Sequence, residues 1–122
     1  MTRPDKDAER EERISLEITV DAYGPEEQAI SWYYYLADKL AVPFTARCIT
    51  ERPTSPLKSG EKVKVVGMPS EEVCEHEMFV LIEWQSRQLA VPLMQLEGLQ
   101  VDQETEQAIA DWRYWVDRGY QL

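Results

Sequence analysis

Residues 44–92 most constrain the fold, because this stretch consists of four short segments of strand character separated by turns. The segments are 44–50, 62–66, 78–84 and 88–92, and proline- and glycine-bearing turns such as 53–56 and 58–61 lie between them. Apolar runs of this length between turn signals are typical of strands, and short connections join antiparallel neighbours. The pattern therefore predicts a small antiparallel sheet or barrel.

Two amphipathic helices are predicted on either side of these strands. The first covers 25–40, with Pro25 at its first position, and ends before Pro43. The second covers 102–119, with Asp102 as N-cap and Gly119 beyond its end. Each has one apolar stripe that should face the core. The stripes comprise Ala29, Trp32, Tyr33, Leu36 and Leu40, then Ala108, Ile109, Trp112, Trp115 and Val116.

The N-terminal part of the chain has weaker signals. Residues 1–13 mix both charge signs with little apolar content, so we predict a charged flexible tail. Residues 14–20 alternate apolar and polar side chains, which predicts an edge strand. A single domain is then expected over 14–122, since a chain of 122 residues can form one core.

Together these elements predict an α+β fold. We expect a small antiparallel sheet or barrel, flanked by a helix on its N-terminal side and by a C-terminal helix. The order of the segments from residue 57 to 96 resembles that of Src-homology-3-like barrels. Because such barrels serve many unrelated functions, the resemblance does not by itself predict an activity.

The charge of the chain is uneven. The formal net charge is −10, and residues 65–122 have 11 acids against three bases. An acidic field of this kind repels phosphate backbones, so nucleic acid is an unsuitable partner, whereas a cation or a basic protein is a suitable one. A solvated surface that only maintains solubility is the simpler explanation of the same charges.

The densest acidic segment is the predicted loop of residues 71–77. Its four carboxylates belong to Glu71, Glu72, Glu75 and Glu77. Calcium prefers six to eight oxygen ligands, and a flexible glutamate-rich loop supplies several. If the segment is extended, Glu75 and Glu77 point to the same side and share an ion. A solvated glutamate loop remains the alternative.

Other acids give less specific signals. Asp38 should lie opposite the apolar stripe of the first helix, in a semi-enclosed polar position beside Tyr34 and Tyr35. Asp102, Glu104 and Glu106 form a second cluster, which helix capping and the helix dipole explain well. No EF-hand loop is present in the sequence, so a calcium site requires ligands from separate elements.

Catalysis and membrane insertion are poorly supported. The sequence has one histidine and lacks nucleophile-elbow and phosphate-loop motifs, so we expect no enzyme and no catalytic residues. Two distant cysteines, Cys48 and Cys74, suggest reduced thiols. No apolar run is long enough to cross a membrane. We expect a cytoplasmic protein that contacts neither a membrane nor nucleic acid.

Several segments, in order and spacing, resemble the CcbP-type calcium-binding proteins of cyanobacteria, a family without EF-hands. The resemblance covers about residues 17–120. The segments that show it are WYYYLADKLAVPF at 32–44, SPLK at 55–58, VGMP at 66–69, CEHEMFV at 74–80, LAVPL at 89–93 and DWRYW at 111–115.

The resemblance implies calcium binding through surface acids and the lowering of free calcium by sequestration. It implies that Asp38 belongs to the main calcium site and that Glu75 and Glu77 are ligands. Where the family pattern often has acids, this chain has Ala37 and Ala41. Two interpretations follow: the site is weakened, or it takes ligands from Glu71, Glu72 or Asp111 instead.

We therefore predict a monomeric intracellular calcium buffer or sensor that binds Ca²⁺ as its only cofactor. The predicted ligands are Asp38, Glu71, Glu72, Glu75 and Glu77. The alternative is an interaction module whose acidic face docks a basic protein partner without metal.

Overall fold

The computed structural model describes residues 7–122 and contains three α-helices and five strands in this range. The helices are α1 (Ala8–Arg13), α2 (Pro25–Lys39) and α3 (Gln103–Asp117). The strands are β1 (Phe44–Cys48), β2 (Lys62–Gly67), β3 (Phe79–Trp84), β4 (Arg87–Pro92) and β5 (Leu96–Leu99). Short helices of other types are the π-helix Ile14–Ile18 and the 3₁₀ helices Glu71–Cys74 and Leu93–Gln95.

The five strands form one antiparallel sheet in the order β4-β3-β2-β1-β5. A register shift between Val65 and Gly67 interrupts the pairing of β2 with β3. Gln85 and Ser86 both have positive φ and join β3 to β4 in a tight turn, as this hairpin requires. The sheet is not closed into a barrel, since β4 and β5 are its two edges. The predicted α+β class is confirmed.

The core lies between the sheet and the pair α2 and α3. Alternate side chains of the central strands are buried, including Ala46, Val65 and Ile82, because side chains alternate between the faces of a strand. The two helices contact each other, and α3 also contacts β5. Burying one stripe of each helix against the sheet produces a single core.

Three tryptophan rings pack where α2 meets α3. Trp32 of α2 lies 5.1 Å from Trp112 and 5.6 Å from Trp115 between ring centroids. The rings of Trp112 and Trp115 stack at 5.6 Å. All three are buried, so the predicted apolar stripes of both helices do form the core. Large aromatic side chains bury much apolar area, and this cluster fixes α2 against α3.

The helix termini follow the sequence signals. Pro25 is in the first turn of α2, and Leu40 is its C-cap. The Asp102 side chain accepts a hydrogen bond from the Thr105 backbone N–H at 2.7 Å and so caps α3. Accepting this hydrogen bond lowers the pKa of Asp102, because it stabilises the ionised carboxylate.

The N-terminal region differs from its prediction. Residues 8–13, which we assigned to a charged flexible tail, form α1; residues 1–6 lie outside the described part of the chain. The strand predicted at 14–20 is wrong, because 14–18 is a π-helix that buries Ile14 and Ile18 on one side. Ile14 and Ile18 are four residues apart, a spacing that a helix also places on one face.

Candidate functional site

A surface cleft of about 530 Å³ lies between α2 and the 3₁₀ helix Glu71–Cys74. Its apolar wall consists of side chains from the first half of α2 and the end of the chain. These residues are Pro25, Ala29, Ile30, Tyr33 and Leu122. Four carboxylates also line the cleft: Glu26, Glu71, Glu72 and Glu75. The lining of the cleft thus combines apolar side chains with carboxylates.

Two neighbouring tyrosines of α2 hold the helix against the segment 69–71. The Tyr33 hydroxyl donates a hydrogen bond to the Pro69 carbonyl at 2.5 Å, and the Tyr34 hydroxyl donates to a Glu71 carboxylate oxygen. The Tyr34 pKa is raised, first because its hydroxyl is bonded to that carboxylate. These contacts place Glu71 beside the middle of α2.

Glu75 and Glu77 have different surroundings. The segment is not extended as we predicted: Glu75 ends the 3₁₀ helix with φ −66° and ψ −32°, which are helical values. The alternation that would point both side chains to one side therefore does not apply. Glu75 lines the cleft. The Glu77 carboxylate receives two hydrogen bonds from the Arg52 guanidinium, at 2.8 and 2.5 Å.

Asp38 is not semi-enclosed, contrary to our prediction. Its side chain is 77% exposed, and its carboxylate lies 3.8 Å from the Lys39 ammonium. The two nearby tyrosines do not cover it, because Tyr34 reaches to Glu71 and Tyr35 donates to Asp111. Asp38 lies one turn beyond Tyr34 along α2. The Tyr34 hydroxyl is the group that bonds to Glu71, a cleft acid. Glu26, twelve residues earlier, is about 18 Å away along the helix axis.

Asp111, another acid named as a calcium ligand, is fully buried and already has three partners. Its carboxylate accepts hydrogen bonds from Arg10 at 3.0 Å, Arg13 at 2.5 Å and the Tyr35 hydroxyl at 3.0 Å. Two guanidiniums satisfy this charge without a metal. Asp111 therefore connects α1 to α3 and is remote from the solvent that brings an ion.

Cys74, in the segment next to the cleft, is a poor catalytic group. Cys74 is buried, its thiol sulfur lies 3.4 Å from the Phe79 backbone nitrogen, and burial raises the pKa of this thiol. His76 lines the cleft. A buried protonated thiol bonded to the backbone is a weak nucleophile.

The carboxylates match the chemistry of a hard cation but are not assembled around one point. Among residues 7–122, no three His, Cys, Asp or Glu side chains are close enough together to hold a metal ion. The cleft acids nonetheless have the donor type and exposure that calcium requires, and no lysine or arginine is among the described residues that line the cleft. Binding thus requires these side chains to reorient.

These features define a class: an acidic α+β protein with exposed carboxylates from separate elements and no EF-hand. A family model for calcium binding of the CcbP type matches residues 12–116. The chain belongs to this CcbP calcium-binding family.

Two solved structures are similar over their whole length. The crystal structure of Anabaena CcbP superposes with a TM-score of 0.88 at 36% identity, and 100% of both chains is covered. A calcium-binding protein in its calcium-binding form superposes with a TM-score of 0.87, also at 36% identity and with full coverage. No curated protein matches the sequence. The resemblance seen in the sequence is confirmed.

Glu26 is a cleft acid that the sequence analysis did not select, because the helix dipole explains an acid in a first turn. Its only sequence signal is its place in the first turn of the predicted helix, before Ala29 and Tyr33. In the described part of the chain, no helix is long and apolar enough to span a membrane.

Proposed function

We propose that this chain binds calcium reversibly through the cleft carboxylates and acts as an intracellular calcium buffer or sensor. The observation that supports this most is the cleft itself, which is lined by Glu26, Glu71, Glu72 and Glu75 from separate elements and, among the described residues, by no lysine or arginine. Uncompensated carboxylates repel one another, so a divalent cation removes repulsion as well as forming bonds. Family membership supports the choice of calcium.

The proposed ligands fall into three groups. Glu71, Glu72 and Glu75 are the primary ligands because they share the cleft. Asp38 is exposed and lies one helical turn beyond Tyr34, the partner of Glu71, so we propose that it completes the coordination or binds a second ion. Glu77 becomes available only when Arg52 releases it. Backbone carbonyls and water supply the other oxygens that calcium needs.

The separation of the carboxylates sets the affinity that we propose. Because the side chains must move together before they coordinate, part of the binding free energy is used to order them. A dissociation constant of about 10–500 μM suits such a site, weaker than preassembled sensor sites. A site of this affinity fills only when free calcium rises to micromolar levels or above, which suits a sensor or a low-affinity buffer of high calcium rather than a buffer of resting calcium.

We also propose that the protein has no catalytic role and works in the cytoplasm. The buried state and raised pKa of Cys74 support the first statement. Both cysteines are free thiols, which supports a reducing compartment.

Isothermal titration with calcium in magnesium-free buffer tests the site. In the triple variant Glu71→Gln, Glu72→Gln, Glu75→Gln, we expect binding to weaken at least tenfold. Loss of three charged ligands removes most of the coordination, while glutamine preserves side-chain size.

The matched control is Glu12→Gln, Glu83→Gln, Glu104→Gln. These three acids are exposed and do not line the cleft, and the control removes the same net charge. It should bind within about twofold of wild type, since distant surface charges are screened. The proposal fails if wild type releases no heat at millimolar calcium, or if both variants weaken equally.

A further inference from the structure

The apolar wall of the cleft is larger than a calcium site needs. Calcium is coordinated by oxygen, whereas this cleft of about 530 Å³ presents Ala29, Ile30 and Tyr33. The volume is in the range of about 300–1,000 Å³ that is usual for sites that enclose organic groups. Ile30 is 48% exposed, although it lies on an ordered helix. The apolar wall is therefore a feature that ion binding does not explain.

More exposed apolar surface lies next to the cleft. Tyr34, one turn after Ile30, is 55% exposed, and its ring packs edge-on against Tyr33 at 5.4 Å. Val73 of the facing 3₁₀ helix is 44% exposed. Single exposed apolar side chains are ordinary, but neighbouring ones around a cleft mark an interaction surface.

The charges around this surface determine the chemistry of its partner. Four glutamates line the cleft, and the described residues of its lining include no lysine or arginine. Anionic lipids, acidic peptides and nucleic acids are repelled by these carboxylates, whereas lysine and arginine side chains are attracted. A partner must therefore combine apolar anchors with basic residues.

We propose that this cleft docks a basic amphipathic helix of a protein partner. Apolar side chains spaced three or four residues apart on such a helix enter the cleft beside Ile30 and Tyr33, and its lysines pair with Glu71, Glu72 and Glu75. Helix-in-groove recognition uses this combination of apolar anchors and complementary charge. Because the same carboxylates are the proposed calcium ligands, calcium and the partner compete.

The competition depends on the proposed calcium site, whereas the docking does not. If calcium occupies the glutamates, they no longer attract the lysines, and the partner binds mainly at low calcium. Coupling of this kind is reciprocal, so the partner lowers calcium affinity by the same factor. The protein would then release its partner when calcium rises.

Three labelled peptides of about 14 residues, or about four helical turns, test the docking. The first is an amphipathic leucine-lysine helix, the second has the same composition in scrambled order, and the third has glutamate in place of lysine. Anisotropy titrations with the full chain in chelator measure each dissociation constant. We expect the amphipathic basic peptide to bind at least tenfold more tightly than the other two.

Matched variants then locate the binding surface. Ile30→Gln should weaken the amphipathic peptide about fivefold or more, because it removes an apolar contact in the cleft. Ile49→Gln replaces an isoleucine of similar exposure, 40%, that does not line the cleft, and should change binding less than twofold. Equal binding of the scrambled peptide, or equal effects of both variants, would overturn the docking surface.

Repeating the titration in millimolar calcium tests the competition. We expect the dissociation constant of the peptide to rise at least fivefold, beyond the change caused by sodium chloride at the same ionic strength. If calorimetry detects calcium binding but the peptide is unaffected, the competition is wrong. If calorimetry detects no calcium binding but the protein still binds the amphipathic basic peptide more tightly than the other two, the proposed calcium function fails while the docking surface is supported.

Discussion

Neighbouring carboxylates on the segment 71–77 differ in whether a side chain of the protein is already hydrogen-bonded to them. Glu77 receives two hydrogen bonds from Arg52. This hydrogen-bonded pairing is the main reason that the pKa of Arg52 is raised. Glu72 and Glu75 are exposed at the cleft. A cation that uses Glu77 must first displace a guanidinium bound in a geometry that suits carboxylates well.

Arg52 is thus expected to limit calcium affinity. Arg52→Gln should lower the calorimetric dissociation constant about two- to fivefold, because it frees one carboxylate and removes a nearby positive charge. The control is Arg47→Gln, which removes the same charge from an exposed pair with Glu97. If both variants tighten calcium binding equally, the effect comes from net charge alone. In that case, pairing with Arg52 does not keep Glu77 from binding calcium.

Sequence reasoning found three of the four cleft acids but missed Glu26 and the pairing of Arg52 with Glu77. Glu71, Glu72 and Glu75 are close in the chain, so their density was visible. Glu26 is about 45 residues from them, and Arg52 is separated from Glu77 by 25 positions. A single sequence has no signal for such contacts, because they depend on how α2 and the β1–β2 connection pack.

At the scale of elements, α1 shows how a polar helix is held by tertiary ion pairs. It has no buried residues, yet Arg10 and Arg13, the last residue of the helix, both bind the buried Asp111 of α3. The Asp7 backbone N–H also donates to the Tyr114 hydroxyl at 2.9 Å. A short helix without an apolar stripe is unstable alone, so these contacts determine its position.

Asp111→Asn should therefore destabilise the fold by about 2–4 kcal/mol, since it removes the charge that two partly buried guanidiniums face. Urea unfolding measures the change in free energy. Glu97→Gln, which breaks the exposed pair with Arg47, should cost less than about 1 kcal/mol. Similar losses in both variants would mean that burial does not strengthen the Asp111 network.

Element prediction succeeded where a repeated pattern was long. The 15 residues of α2 and of α3 show several turns of one apolar stripe, and both helices were predicted within a few residues. β5 was missed because it has four residues, includes Gly98 and follows β4 without a clear turn. For 14–18, alternation and helical spacing both fit Ile14 and Ile18, and packing against α2 decided between them.

At the scale of the whole molecule, the net charge of −10 opposes compaction, and acids are concentrated in the second half. Self-repulsion of this kind destabilises the folded state relative to the expanded chain. Any dissolved cation reduces this self-repulsion by screening, whereas a bound divalent ion reduces it only around its binding site. Measurements at constant ionic strength distinguish screening from binding.

Calorimetric melting should show this difference. Calcium at about 100 times its dissociation constant should add about 2.7 kcal/mol of stability, which corresponds to about 8–10 °C in Tm for a chain of this size. Sodium chloride at equal ionic strength should give a much smaller rise. A Tm that depends only on ionic strength would contradict a specific site, as would an equal calcium effect in the triple glutamine variant.

The fold class was predictable because local patterns agreed with one another: one amphipathic helix precedes and another follows a series of short strands joined by tight turns. Whether the sheet closes was not predictable, because closure depends on tilt and stagger between strands that are distant in sequence. Here β4 and β5 remain separate edges.

The packing of Trp32 against Trp112 and Trp115 also has an optical consequence. Indole rings with centroids 5.1–5.6 Å apart couple their electronic transitions, and the coupling depends steeply on ring separation and orientation. Trp32 is on the same helix as Ile30 and Tyr33, so any rotation of α2 would change that coupling. Near-ultraviolet circular dichroism of the unmodified chain would therefore register a movement of α2 that accompanied binding in the cleft.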